Sequence, residues 1–148
     1  MRSIVLTSAV LAVCISAGEA LAGPDSDALA KFGMEGTFAV DCAQPPGPRN
    51  PYLTYTVSPR GGVTRTLKMD PSLDGSFSMR NLRLLANDRL QYQETGRQAE
   101  FTVIIARIGG RIRSWESVRG DGQAMIRDGL FTGSGQPTPA FEKCASAR

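Results

Sequence analysis

The chain has 148 residues with 17 basic and 14 acidic side chains and not one histidine, a length that suits one domain with a real core. The missing imidazole excludes Ser-His-Asp and Cys-His catalysis, nearly all catalytic zinc sites and the usual protonation switch near neutrality. A net charge of +3 favours plain codon usage over a patch for an anionic partner as the reason for the many arginines.

In chain order, Met1-Arg2 is a short positive start and Ile4 to Ala17 is apolar and uncharged. Ala20-Leu21-Ala22 follows, with small residues where a signal peptidase reads them. These are the parts of a secretory leader, and the apolar run is shorter than the ~20 residues a membrane-spanning helix needs. We expect cleavage after Ala22, residues 1–22 as signal peptide, and residues 23–148 as a single domain in the periplasm or outside the cell. Leu11-Ala12-Val13-Cys14 offers a competing lipid-attachment reading at Cys14. Val13 suits that reading poorly, and the Ala-Leu-Ala site favours cleavage.

Asp25 to Phe32 reads as a short helical turn, capped by Asp25 or Ser26 and ended by Gly33. Everything after it reads as strands. Gly36 to Cys42 alternates, with Phe38, Val40 and Cys42 on one side. Ala43 to Pro51 is a proline-rich loop, read as a stiff cover over one barrel end. Tyr52 to Ser58 and Val63 to Met69 form the next pair, with Val63, Leu67 and Met69 on one face. In Phe77 to Leu85 the apolar phase slips between Met79 and Leu82, which predicts a bulge or a break. Leu90 to Glu94, Glu100 to Ile108, Arg111 to Arg119, Ala124 to Arg127 and Leu130 to Thr132 follow, separated by Gly-, Asn- and Asp-rich turns. The tail Gly133 to Pro139 is irregular. About eight short strands at near ten-residue spacing predict an all-β fold, a single antiparallel barrel or sandwich with a short N-terminal helical turn.

Two cysteines remain after cleavage, Cys42 and Cys144. An even count in an exported chain implies a disulfide, here tying the first strand to the C-terminal tail. Neither lies in a Cys-x-x-Cys, the spacing of a redox or metal pair.

Gly36-Thr37-Phe38, after a helical turn and opening the first strand, resembles the Gly-x-Trp start of lipocalin-like barrels, with Phe38 where tryptophan is usual. The link from near that strand to the C-terminal tail is similar to theirs. Gly36 to Cys42, Ile126-Arg127-Asp128-Gly129 and Cys144 together also resemble small exported bacterial β proteins of no assigned function. The lipocalin resemblance implies a cup-shaped barrel in which Arg127 would cover the aromatic ring of Phe38. It implies no particular ligand.

The most site-like cluster is Trp115 with Arg111, Arg113 and Arg119. On an extended strand Arg111, Arg113 and Trp115 share a face, and guanidinium groups can stack on indole or grip an anion. The plainer reading is a tryptophan half covered by arginine stems. Glu94 and Glu100 flank a tight turn, as a catalytic carboxylate pair can, though hairpin-end acids are usually only solvated. Lys68 alternates with Leu67 and Met69 and is read as facing solvent, so it is no partner for a serine nucleophile. Asp25-Ser26-Asp27 and Asp70 to Asp74 do not match a calcium loop. A helix cap and a β-turn explain them. Arg119-Gly120-Asp121 reads as a hairpin turn.

The expectation is a non-enzymatic exported binding protein with no cofactor, no metal, no nucleic-acid partner and no membrane span. Its partner would be a small apolar ligand in the barrel or an envelope protein. The alternative is a periplasmic protein-interaction or hydrolase-inhibitor module. The two differ in their interiors: a cup must be left partly empty, whereas Phe77, Met79, Leu90 and Ile104 turned inward would fill it.

Overall fold

The computed structural model describes residues 23–145. The expected leader with its cleavage after Ala22, and Cys14, lie outside the described residues. The elements are α1 (Pro24–Phe32), β1 (Gly36–Ala39), β2 (Tyr52–Val57), β3 (Val63–Lys68), β4 (Gly75–Ala86), β5 (Arg89–Thr95), β6 (Glu100–Ile108), β7 (Arg111–Arg119), β8 (Ala124–Arg127), β9 (Leu130–Phe131) and β10 (Glu142–Lys143). The strands form one curled antiparallel sheet in which each pairs with its chain neighbour from β1 to β9. β10 returns to the outer side of β1, pairing Phe38 with Lys143 and Ala39 with Glu142. The all-β expectation stands, with ten strands in place of about eight.

The curl closes at one end. Phe141, just before β10, exchanges both backbone hydrogen bonds with Ile112 at the start of β7, at 2.8 and 2.9 Å. At the other end β7 pairs onward to β8 and β9, which do not bond to β1 or β2; the outer side of β9 is covered by the tail, where Phe131 donates to the Gln136 carbonyl at 2.9 Å. The result is a barrel shut at one end and split at the other.

α1 shuts the closed end. Proline opens it at its first position, where no amide hydrogen is missed, and Gly33 ends it in the left-handed region at φ 71°. Leu29, Phe32 and Met34 are buried against the core, each worth about 1.5–3 kcal/mol of transfer free energy. Arg107 on β6 fastens the helix end, donating to the Phe32 carbonyl at 2.5 Å and lying 4.9 Å over the Phe32 ring. The expected side-chain cap is replaced by another bond. Gly23 is the N-cap residue and no side chain caps the helix, while Ser26 donates to the Gly23 carbonyl at 2.7 Å. Asp25 turns away to β4, where its two oxygens accept the amides of Asn81 and Leu82 at 3.1 and 2.8 Å.

Those two amides belong to the bulge expected from the phase slip. The β4–β5 register shifts between Arg80 and Arg83, and Asn81 sits at φ 55°. One inserted residue lets Met79 and Leu82 both turn inward, with exposures of 3% and 6%, although their spacing of three would otherwise put them on opposite faces.

The proline-rich loop does not cover a barrel end. α1 fills that place, and the loop lies beside the outer face of β1–β3, which puts Pro46 next to Thr54, Thr66 and Lys68 in one groove. The loop is held by Asn50, whose amide nitrogen donates to the carbonyls of Asp41, Gln44 and Pro45, and by Tyr52, whose hydroxyl donates to the Gln44 carbonyl at 2.6 Å. β1 ends at Ala39, earlier than the alternation to Cys42 suggests. Asp41 instead folds back to accept the Ala43 amide at 2.8 Å, the local turn that aspartate favours over a strand.

Cys42 and Cys144 are bonded across a separation of 102 residues, with Cα atoms 5.4 Å apart. By loop-closure entropy such a link contributes about 4–5 kcal/mol. A C42S/C144S variant is expected to lose stability of that order in urea denaturation. A loss under ~1 kcal/mol would show that the Phe141–Ile112 bridge and β10 hold the tail unaided.

Candidate functional site

Period-two alternation decides what faces the interior. From β2 come Leu53 and Tyr55, from β3 Val63 and Arg65, from β5 Leu90, Tyr92 and Glu94, and from β6 Phe101, Val103 and Ile105. β7 carries a second bulge. Its register against β6 shifts between Ile104 and Ile105, leaving Trp115 without an opposite number, so that Ser114 and Ser117 both reach the inner side.

Near the helix, apolar side chains pack solid. Phe38, Val63, Leu90 and Ile112 are at most 2% exposed, and Phe38 meets Tyr55 edge to face at 5.9 Å. Towards the split end the packing stops. A cavity of about 250 Å³ remains, lined by Tyr55, Arg65, Tyr92, Glu94, Ser114 and Ser117 and by Leu53, Phe101, Val103, Ile105 and Ile126. A second hollow of about 370 Å³ adjoins it at the rim, sharing Arg65, Glu94 and Phe101 and adding Leu67, Met69, Leu73 and Phe77. Met79 and Leu90 do face inward, as a filled barrel requires, but Phe77 sits at the rim and Ile104 lies on the outer face.

An ion pair forms the wall between the two hollows. Arg65 Nε and Nη2 donate to the two Glu94 carboxylate oxygens at 2.6 Å each, with side-chain exposures of 16% and 8%. The guanidinium also lies 4.8 Å over the Phe77 ring. Burial works against the charge of Arg65. The Glu94 hydrogen bond and the fields of Tyr92, Glu94 and Tyr55 outweigh it and hold the guanidinium above its ordinary range.

Tyr55 and Tyr92 are 1% and 3% exposed. Burial, the largest influence, pushes Tyr55 up to about 12, with Arg65 opposing and Glu94 adding. Burial likewise raises Tyr92 well above the ordinary phenol, aided by Tyr55 and Glu94 and opposed by Arg65. Among the described residues neither hydroxyl bonds to another side chain, whereas Tyr52 does bond to its loop. Among the described residues no sealed polar side-chain atom is left without a partner, so the two hydroxyls are not sealed off, and both tyrosines line the void.

The arginine–tryptophan cluster is distributed differently. Arg113 and Trp115 meet over Gly129, a buried glycine at φ 74° whose absent side chain would lie 3.2 Å from the indole. The Arg113 guanidinium donates to the carbonyls of Gly129 and Thr138 at 3.1 and 2.7 Å. Arg89 on β5, not singled out in the sequence, stacks 4.4 Å above Trp115. Arg111 pairs with Glu142 at 3.2 Å, and Arg119 pairs within its own turn with Asp121, whose carboxyl that guanidinium holds down at about 2. All three guanidinium groups are thus engaged within the protein. Arg127 is exposed, and the cation over Phe38 is Lys143, at 5.9 Å. β10 brings Lys143 beside β1, whereas β8 lies at the far edge of the sheet. Glu94 turns inward to Arg65, whereas Glu100 is exposed and pairs with Arg80.

Composition and spacing do not single out Arg65, Tyr55, Tyr92 and the two serines, although part of the signal is present in the sequence. Arg65 stands between Val63 and Leu67, and Glu94 follows Leu90 and Tyr92 in strict alternation. A charged residue on an apolar strand face marks either a solvent-facing error of register or a buried pair.

No helix among the described residues is long and apolar enough to cross a membrane. Comparison with protein-family models, curated proteins and solved structures found no match for this chain.

Breaking the Arg65–Glu94 pair on one side leaves a charge buried alone, which costs about 3–5 kcal/mol, whereas removing both sides is often neutral. R65M is therefore expected to lose several kcal/mol in urea denaturation and R65M/E94L to recover most of it. The phenols carry a pH signature. A raised folded pKa leaves stability intact below the unfolded value of about 10 and removes it as pH climbs toward about 12, because the unfolded chain gives up its protons first. Urea midpoints are expected to fall across that window, and less steeply in Y55F.

Proposed function

We propose that this is a non-enzymatic binding protein, exported to the periplasm or the medium, that holds a small amphiphilic ligand in the split end of its barrel. The carrying observation is the unfilled interior of about 250 Å³, which is lined by both polar and apolar side chains. Native cores are close-packed. A void with unpartnered hydroxyls and an aliphatic side is the usual composition of a small-molecule site. The Cys42–Cys144 bond is compatible with an oxidising, exported location. The lipocalin-like opening at Gly36-Thr37-Phe38 agrees with a cup but names no ligand.

The alternative, a protein-interaction or hydrolase-inhibitor module, draws on the Ala43–Pro51 loop. Asn50 and Tyr52 present that loop as a fixed shape beside a groove of about 650 Å³. It has no use for an interior void.

Native mass spectrometry of the protein taken from its own envelope tests the proposal. The expected result is a chain of residues 23–148 carrying an added small mass that is lost on denaturation. S117L directs a larger side chain into the void and is expected to abolish the added mass while leaving the circular dichroism spectrum unchanged. A bare wild-type protein would overturn the proposal and turn the search to protein partners of the loop.

A further inference from the structure

The polar wall of the cup restricts what head group can enter it. Tyr55 and Tyr92 offer two hydroxyls that bond to no side chain among the described residues, and both tyrosines line the void. Ser114 and Ser117 stand on the facing strand. A phenol donates a hydrogen bond readily, and its natural complement is a carbonyl or hydroxyl oxygen.

Charged heads meet a different reception. The formal charges in the wall are Arg65 and Glu94, and they cancel one another in a two-pronged pair at 2.6 Å. The Nε and Nη2 edge with which arginine grips a carboxylate is already taken. An anionic head would be buried beside Glu94 with no cation to match it, and a cationic head would face Arg65 in the same way. Burying a charge unmatched is far more costly than burying a hydrogen-bonded neutral group. The remaining walls, Leu53, Phe101, Val103, Ile105 and Ile126, suit a short aliphatic body. About 250 Å³ is the liquid volume of roughly eight waters, so that body is small.

We propose that the cup selects uncharged amphiphiles whose oxygen acceptor is met by the hydroxyls of Tyr55 and Tyr92, and rejects carboxylates and amines of the same body. This rests on the cup being the ligand site.

The chain has three tyrosines, which makes the test simple. Tyr52 bonds to the loop carbonyls of Gln44 and Cys42 and serves as an internal control. Protein labelled with carbon-13 at the tyrosine ζ position shows one signal from each, assigned with Y55F and Y92F. The probes are 1-octanol, octanoate and octylammonium, one body with three heads. Octanol is expected to move the Tyr55 and Tyr92 signals and leave Tyr52 in place. It should bind at least ~10-fold more tightly than either ion. Y55F and Y92F should each weaken octanol ~3–10-fold, with circular dichroism confirming that both fold. If octanoate or octylammonium binds as tightly as octanol, the selectivity is overturned while the cup remains a binding site. The same holds if octanol binds but both phenylalanine variants bind it unchanged. If no probe moves Tyr55 or Tyr92, the cup itself falls, and this inference with it.

Discussion

The curl of the sheet hangs on the last few residues of the chain. Strands β1 to β9 form a meander in which every strand pairing is with a chain neighbour, and such a ribbon has no intrinsic reason to close. Phe141 supplies one by bonding to Ile112 while the two residues after it pair with β1. Cys144 then fixes the segment covalently to Cys42. One short stretch therefore joins β7 to β1, buries Phe141 and brings Lys143 over Phe38. It also protects the edge of β1, which would otherwise be open to pairing with other chains.

Closing one end and leaving the other split sorts the interior. α1 and the inward aromatics make the closed end dry and solid. At the split end the same strands present Arg65, Glu94, two phenols and two serines, groups that would be intolerable in a sealed core without partners. The Arg65–Glu94 pair answers part of that demand by itself. The phenols are left on the lining of the void.

Bulges carry much of this arrangement. In β4 the extra residue near Asn81 turns Met79 and Leu82 inward together, and Asp25 reaches over from α1 to satisfy the freed amides. In β7 the extra residue is Trp115, and its displacement lets Ser114 and Ser117 both face the cup. The first bulge was legible as a break in apolar phase. The second was not, because Arg113 and Ser114 precede Trp115 and Glu116 and Ser117 follow it, leaving no apolar rhythm to interrupt.

Local chemistry in the chain was enough to determine the all-β class, the positions of β2 to β9, Gly33 as the helix end, the β4 bulge and the pairing of Cys42 with Cys144. Each depends on alternation, turn residues or a count, and these act over a few residues. Tertiary structure alone decided which charges meet. Arg65 finds Glu94 29 residues away, Arg89 rather than Arg111 or Arg113 stacks on Trp115, and Lys143 rather than Arg127 covers Phe38. A long cationic side chain reads the same in sequence wherever it stands. Its partner is set by which strands lie side by side and by the side of the sheet on which each bulge leaves it.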